Sequence, residues 1–160
     1  MSANWGHHIE LSLFGESHGK AIGITIGHLP AGIKLDMDAI NKDMQRRAPG
    51  KNLMSTQRKE ADEVEILSGV LDGYTTGAPL CGIIKNTSQH SKDYSYLKDN
   101  MRPGHSDYPA YIKYKGFNDV RGGGHFSGRL TAPIVFAGAI AKQILKEKGI
   151  HVGAHILSIK

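Results

Sequence analysis

Three short stretches carry residues able to do acid-base or anion chemistry. In "GESHG", residues 15 to 19, His18 stands on a glycine-flanked turn with Glu16 and Ser17 beside it. A titratable imidazole on an exposed turn suits delivery of a proton near neutral pH. In "RPGHSDYP", residues 102 to 109, His105 follows a second glycine turn, Arg102 supplies a cation, and Ser106 and Asp107 are placed to cap a helix. In "RGGGHFSGR", residues 121 to 129, three consecutive glycines bare the backbone N–H groups and let a flat or anionic ligand approach the main chain. Arg121 and Arg129 add guanidiniums suited to gripping phosphate oxygens two at a time, and Phe126 adds an aromatic face. Each stretch also has a plainer reading: a surface histidine in a hairpin, a helix cap, and a glycine turn with solvated arginines.

Two familiar motifs are excluded. "GESHG" matches G-x-S-x-G, in which a serine nucleophile sits between a strand and a helix. Here "KAIGITIG" follows with period two, which predicts a strand, so Ser17 is not expected to be a nucleophile. The glycine run lacks the Gly-Lys-Ser/Thr of a phosphate-binding P-loop.

The elements that must position these residues are legible as periodic segments. Strands are predicted at 9 to 14 and 22 to 27, the second with Ile22, Ile24 and Ile26 on one face. Asp36 predicts a helix start, with Leu35 and Ile40 as a hydrophobic staple across it. Met37, Ile40 and Met44 form its apolar stripe, and Pro49 is its stop, so Arg46 and Arg47 fall in the last turn. Further strands are predicted at 63 to 70 and 80 to 85, separated by a turn around "DGYTTGAP", and a short helix after Asp107. Thr131 is read as the cap of a long helix with Pro133 in its first turn and Gly149 as its stop. Because its first half is apolar nearly all round, that helix is expected to be buried. The alternation in "HVGAHILSIK" predicts a last, half-exposed strand from 151, and a chain stopping inside a strand reads as interrupted. The sum is an α+β fold, a mixed strand and helix sandwich of β-α-β type. No linker divides residues 1 to 160, so a single domain is expected.

Composition narrows the function. The chain has 160 residues and a formal net charge of +5, from 20 Lys+Arg against 15 Asp+Glu, without a polybasic run. That balance suits a phosphorylated small molecule at least as well as nucleic acid. Cys81 is the single cysteine, which excludes an internal disulfide framework and a cysteine-rich metal site, and a reducing cytosol is expected. No stretch approaches the roughly 18 apolar residues of a membrane span, and the first residues do not read as an export signal. The chain is therefore expected to be cytoplasmic, with no membrane and no nucleic-acid partner.

Five ordered segments, "GESHG", "RRAPG", "VEILSGVLDGYTTGAP", "RPGHSDYPAYIKY" and "DVRGGGHFSGRLTAP", resemble chorismate synthase, and the resemblance runs from Trp5 to the last residues. It implies conversion of 5-enolpyruvylshikimate 3-phosphate to chorismate by a 1,4-anti elimination of phosphate and a ring hydrogen, with reduced FMN required. By the family pattern His18 is the proton donor to the leaving phosphate, and His105 lies against the flavin. Arg47 and Arg129 match positions that bind substrate anions, and Arg47 also matches a position tied to NADPH in bifunctional members. The segment His125, Phe126 and Ser127 would contact FMN, and no metal is implied. Departures accompany the match. His125 and Phe126 stand where many members have arginine and serine, Ala48 replaces a third arginine, and Leu53 stands where an arginine is expected, with Lys51 or Arg58 as substitutes. Family chains continue well past this length and commonly form homotetramers. The 160 residues therefore read as an N-terminal portion of a larger fold, unable to complete the active site alone. The competing class is a noncatalytic phosphate- or RNA-binding module, suggested by the basic balance and the glycine-arginine turn. It is disfavoured because the basic residues are not interleaved with stacking aromatics.

Overall fold

Alternating isoleucines build the centre of the molecule. The computed structural model describes residues 3 to 48, 62 to 87 and 91 to 158; Pro49, Lys51, Leu53 and Arg58 lie outside them. The strands are β1 (Asn4–Trp5), β2 (Glu10–Gly15), β3 (Ala21–Gly27), β4 (Glu65–Ser68), β5 (Val70–Leu71), β6 (Tyr74–Thr75) and β7 (Leu80–Lys85). Five of them form an antiparallel sheet in the order β1-β2-β3-β7-β4, while β5 and β6 pair separately. The register sets Leu11 opposite Ile26, Leu13 opposite Ile24, Ile22 opposite Ile84 and Ile26 opposite Leu80. Side chains alternate along a strand, so these residues share one face, and Ile22, Ile24, Ile26, Leu80 and Ile84 are buried there.

Two helices cover that face. In α1 (Met37–Arg47), the Asp36 carboxylate accepts from the Ala39 N–H at 3.0 Å, as an N-cap should, and Ile40 and Met44 are buried. In α3 (Thr131–Glu147), Phe136 lies over Gly82, where any Cβ would fall 2.5 Å from its ring. Glycine at 82 is therefore what allows the helix to approach the sheet. Burying side chains such as Phe136 and Ile140 stabilises the fold by about 1.5–3 kcal/mol each. The helices are also latched together: the Gln143 amide accepts from the Asp36 N–H and donates to its carbonyl, both at 2.9 Å, and Lys142 meets Asp43 at 2.6 Å. This pairing fixes where the last turn of α1, and so Arg47, emerges.

The α+β class is as read from the sequence; several boundaries are not. The strand predicted at 63 to 70 is broken into β4 and β5 at Gly69, which adopts φ +85°. Thr131 is the first helical residue rather than the cap; its hydroxyl donates to the Gly128 carbonyl at 2.6 Å. The chain is already wound through the 3-10 turn Gly128–Leu130, which Ser127 caps by accepting from the Arg129 N–H. Burial of α3 is one-sided, since Ile134, Gly138 and Ala141 are exposed on the face turned from the sheet. Residues 151 to 158 form no strand and are exposed. Alternation gives a segment a face but not a partner, and here no strand of the sheet takes this one.

Candidate active site

The β2–β3 hairpin delivers the first imidazole. His18 is 5% exposed, so the turn buries it rather than displaying it. Its ring meets the edge of Tyr94 at 4.9 Å between centroids, with the planes at 69°. Ser17 is also buried, and its N–H donates to the Gly124 carbonyl at 3.1 Å. A strand, β3, follows the turn, so the serine does not occupy a nucleophile elbow.

The glycine run explains itself by its dihedral angles. Within the turn Arg121–Phe126, Gly122, Gly123 and Gly124 have φ of 58°, 84° and 54°, a left-handed series that side chains resist. Space gives the same answer. A Cβ on Gly122 would stand 2.3 Å from Cε1 of His18, and one on Gly123 would stand 2.9 Å from Cε1 of His105. The two imidazoles, distant in sequence, therefore pack against adjacent glycines. The run is bound back to the hairpin by Ser17 and by His125, whose Nδ1 donates to the Gly15 carbonyl at 2.8 Å. Phe126 is half-buried, with its ring centroid 6.1 Å from that of Tyr114 and 6.2 Å from that of His125.

His105 is held by charge. Nδ1 lies 2.7 Å from Oδ1 of Asp107, the first residue of α2 (Asp107–Tyr114), and Arg102 grips the same carboxylate with Nε at 2.8 Å and Nη2 at 2.9 Å. The side-chain bond from Arg102, working against burial, holds the Asp107 carboxyl well below the usual carboxylate range, and the same bond raises Arg102. Ser106 makes no capping bond, so the segment is more than a helix cap. Arg121 turns to Asp119, with Nη2 at 2.7 Å from Oδ2. Burial alone would raise the Asp119 pKa, but hydrogen bonds from Arg121 bring it below its ordinary value.

The arginines meet on a residue that no motif marks. Arg129 is 6% exposed; its Nη1 binds Oδ1 of Asp62 at 2.6 Å, and its Nε binds Oδ1 of Asn86 at 2.8 Å. Arg47, from the end of α1, pairs with the other oxygen of Asp62. Asn86, just past β7, also donates through Nδ2 to the carbonyls of Glu16 at 3.1 Å and Gly19 at 2.9 Å. One amide thus joins Arg129 to the turn that carries His18. Two guanidiniums on one carboxylate leave one net positive charge, which Asn86 links to the turn carrying an imidazole, an arrangement able to receive an anion. Arg102 and Arg121 are satisfied by their own carboxylates, unlike the free cations of a phosphate-tracking RNA surface.

His18, His105, Arg47, Arg129, His125, Phe126 and Ser127 all lie on these linked segments. Sequence reasoning missed Asp62, Asn86 and Tyr94. For Asn86 a signal existed, an amide side chain directly after a predicted strand; for Asp62 and Tyr94 none did. Among the described residues no group of three or more His, Cys, Asp or Glu side chains is arranged to hold a metal ion.

Fold and site together define an α+β protein in which two arginines meet on one buried carboxylate and two imidazoles pack against adjacent glycines. Comparison with known proteins then gives the family. A family model described as chorismate synthase matches residues 9 to 160. Chorismate synthases from Flavobacterium psychrophilum and Aliarcobacter butzleri are each 52% identical to the chain over 99% and 97% of it, and that from Thermococcus kodakarensis is 49% identical over 96%. A solved chorismate synthase structure superposes with a TM-score of 0.62 at 32% identity, covering 91% of this chain and 36% of the other. The chain belongs to the chorismate synthase family. It spans 43–44% of the length of these three curated relatives.

Proposed function

We propose that the chain is the N-terminal portion of a chorismate synthase, a cytoplasmic homo-oligomeric lyase that eliminates phosphate from 5-enolpyruvylshikimate 3-phosphate. The observation that carries this reading is the packing of His18 and His105 against Gly122 and Gly123, with Asn86 tying the His18 turn to Arg129. Arg129 and Arg47 grip the phosphate oxygens, and the single net charge left by Asp62 matches negative charge growing on the departing group. His18 gives the proton to that oxygen; its burial keeps competing water away. His105, its Nδ1 held by the Asp107 carboxylate, keeps Nε2 as the ring nitrogen able to exchange a proton.

Support for a reduced flavin comes from the same segment. Open space lies beside Gly128, where a Cβ would have no neighbour within 4 Å, next to the half-buried Phe126 and Ser127. His125, Phe126, Ser127 and His105 would hold reduced FMN, which when bound supplies electron density that helps the allylic C–O bond break. An NADPH contact at Arg47 belongs to the same proposal.

Chorismate formation under anaerobic conditions with reduced FMN tests it. The full-length protein is expected to turn over, His18→Ala to lower kcat by about 10²- to 10⁴-fold, and the 160-residue chain alone to form no product. A full-length protein that makes no chorismate, or a His18→Ala variant with the unaltered rate, would overturn it.

A further inference from the structure

Asp62 is a buried carboxylate that the elimination does not consume. Its side chain has no exposed surface, and its two oxygens serve different guanidiniums, Oδ2 that of Arg47 and Oδ1 that of Arg129. Those arginines arrive from separate elements, the last turn of α1 and the turn leading into α3. Arg129 is fixed along a second edge by Asn86 at 2.8 Å. A carboxylate is costly to bury unless it is paired and hydrogen-bonded, and here the pairing sets the separation of the two cations. Asp62 also adopts φ +50°, a left-handed conformation open to Asp and Asn and closed to most residues.

We propose that Asp62 is the positioning residue of the anion grip: it holds the guanidiniums of Arg47 and Arg129 at the spacing a substrate phosphate requires. This rests on the reading above that the two arginines bind that phosphate. A rival role is distinguishable by sign. If Asp62 were only a counter-ion occupying the place of the anion, its neutralisation would add net positive charge and tighten anion binding. As a positioning residue, its neutralisation releases the arginines and weakens binding despite the added charge.

The test uses the full-length protein, with inorganic phosphate as competitive probe. Asp62→Asn retains the shape and the backbone conformation. It is expected to raise both KM and the inhibition constant of phosphate about tenfold or more, with much less change in kcat. In an Arg47→Ala background the same substitution should add little, because the pair acts as a unit. Should Asp62→Asn fold poorly, Asp62→Glu keeps the charge while displacing it; the larger side chain and the left-handed backbone lower its unfolding midpoint, and the same rise in KM is expected at temperatures below that midpoint. Tighter or unchanged phosphate binding in Asp62→Asn, full additivity with Arg47→Ala, or an unaltered KM in Asp62→Glu would each overturn the inference while leaving the arginine assignment standing. If Arg47→Ala and Arg129→Lys themselves leave KM and phosphate inhibition unchanged, the assignment fails, and the inference with it.

Discussion

Asp107 shows what a single residue contributes. Its carboxylate takes two bonds from Arg102 and lies 2.7 Å from His105, so it steadies both the turn and the ring. Because Arg102 holds its folded pKa below the ordinary 3.8, the bond contributes stability that is present above that value. The contribution is lost as pH falls through the ordinary range toward the lower folded value. Asp107→Asn should therefore cost about 1.5–3 kcal/mol at pH 7, the range for hydrogen bonds to charged groups. Unfolding free energies measured from pH 7 to pH 3 should show the gap between parent and variant steady down to about pH 5 and closing below about pH 4. A gap that does not close below about pH 4 would contradict the assignment. His18, His105 and Arg129 stand beside glycines and Arg47 at a helix end, so the sequence singles them out as candidates, while their proposed roles come from the family resemblance. Asp62 is not singled out. Its role comes from two arginines that tertiary folding brings to it, and spacing along a chain carries no record of that.

At the scale of elements, the glycine run decides whether the two imidazoles can meet. Alanine at 122 would need a left-handed backbone, costing about 1–2 kcal/mol, and its methyl would collide with the His18 ring 2.3 Å away. Gly128, in the same nine-residue stretch, has no positive φ and no neighbour within 4 Å of a Cβ. Gly122→Ala should accordingly destabilise the fold by about 2 kcal/mol or more. Gly128→Ala should be near neutral in stability, which denaturant melts of the two variants would compare directly. Equal effects would place the constraint elsewhere. The sequence allowed the need for bare backbone to be read, but it suggested a ligand as the cause, whereas two histidine rings fill the room above Gly122 and Gly123. The helices and β2, β3 and β7 were readable from apolar period, since burial on one face is what writes that period. The strand expected after residue 150 failed because strand formation needs an edge to pair with, and alternation says nothing of edges.

Taken whole, the molecule is a sheet with helices on one face, and the outer side of the helix layer presents Ile134, Gly138 and Ala141 to solvent. A cavity of about 540 Å³ opens there between α1 and α3, with Arg47, Val135 and Leu145 among its lining. The relatives compared above are more than twice as long as the segment matched. The α+β class was legible from the mixture of periods; the layer order was not, and the meeting of segments 15–19, 102–109 and 121–129 was expected only through the family resemblance, because long-range pairing leaves no local trace. The claim on which the account turns is that His18, Arg47 and Arg129 serve one phosphate. A crystal structure of the full-length protein with 5-enolpyruvylshikimate 3-phosphate tests it most directly. The account predicts phosphate oxygens within about 3 Å of both guanidiniums and of the His18 ring; a substrate phosphate bound away from Arg129 and His18 would contradict it.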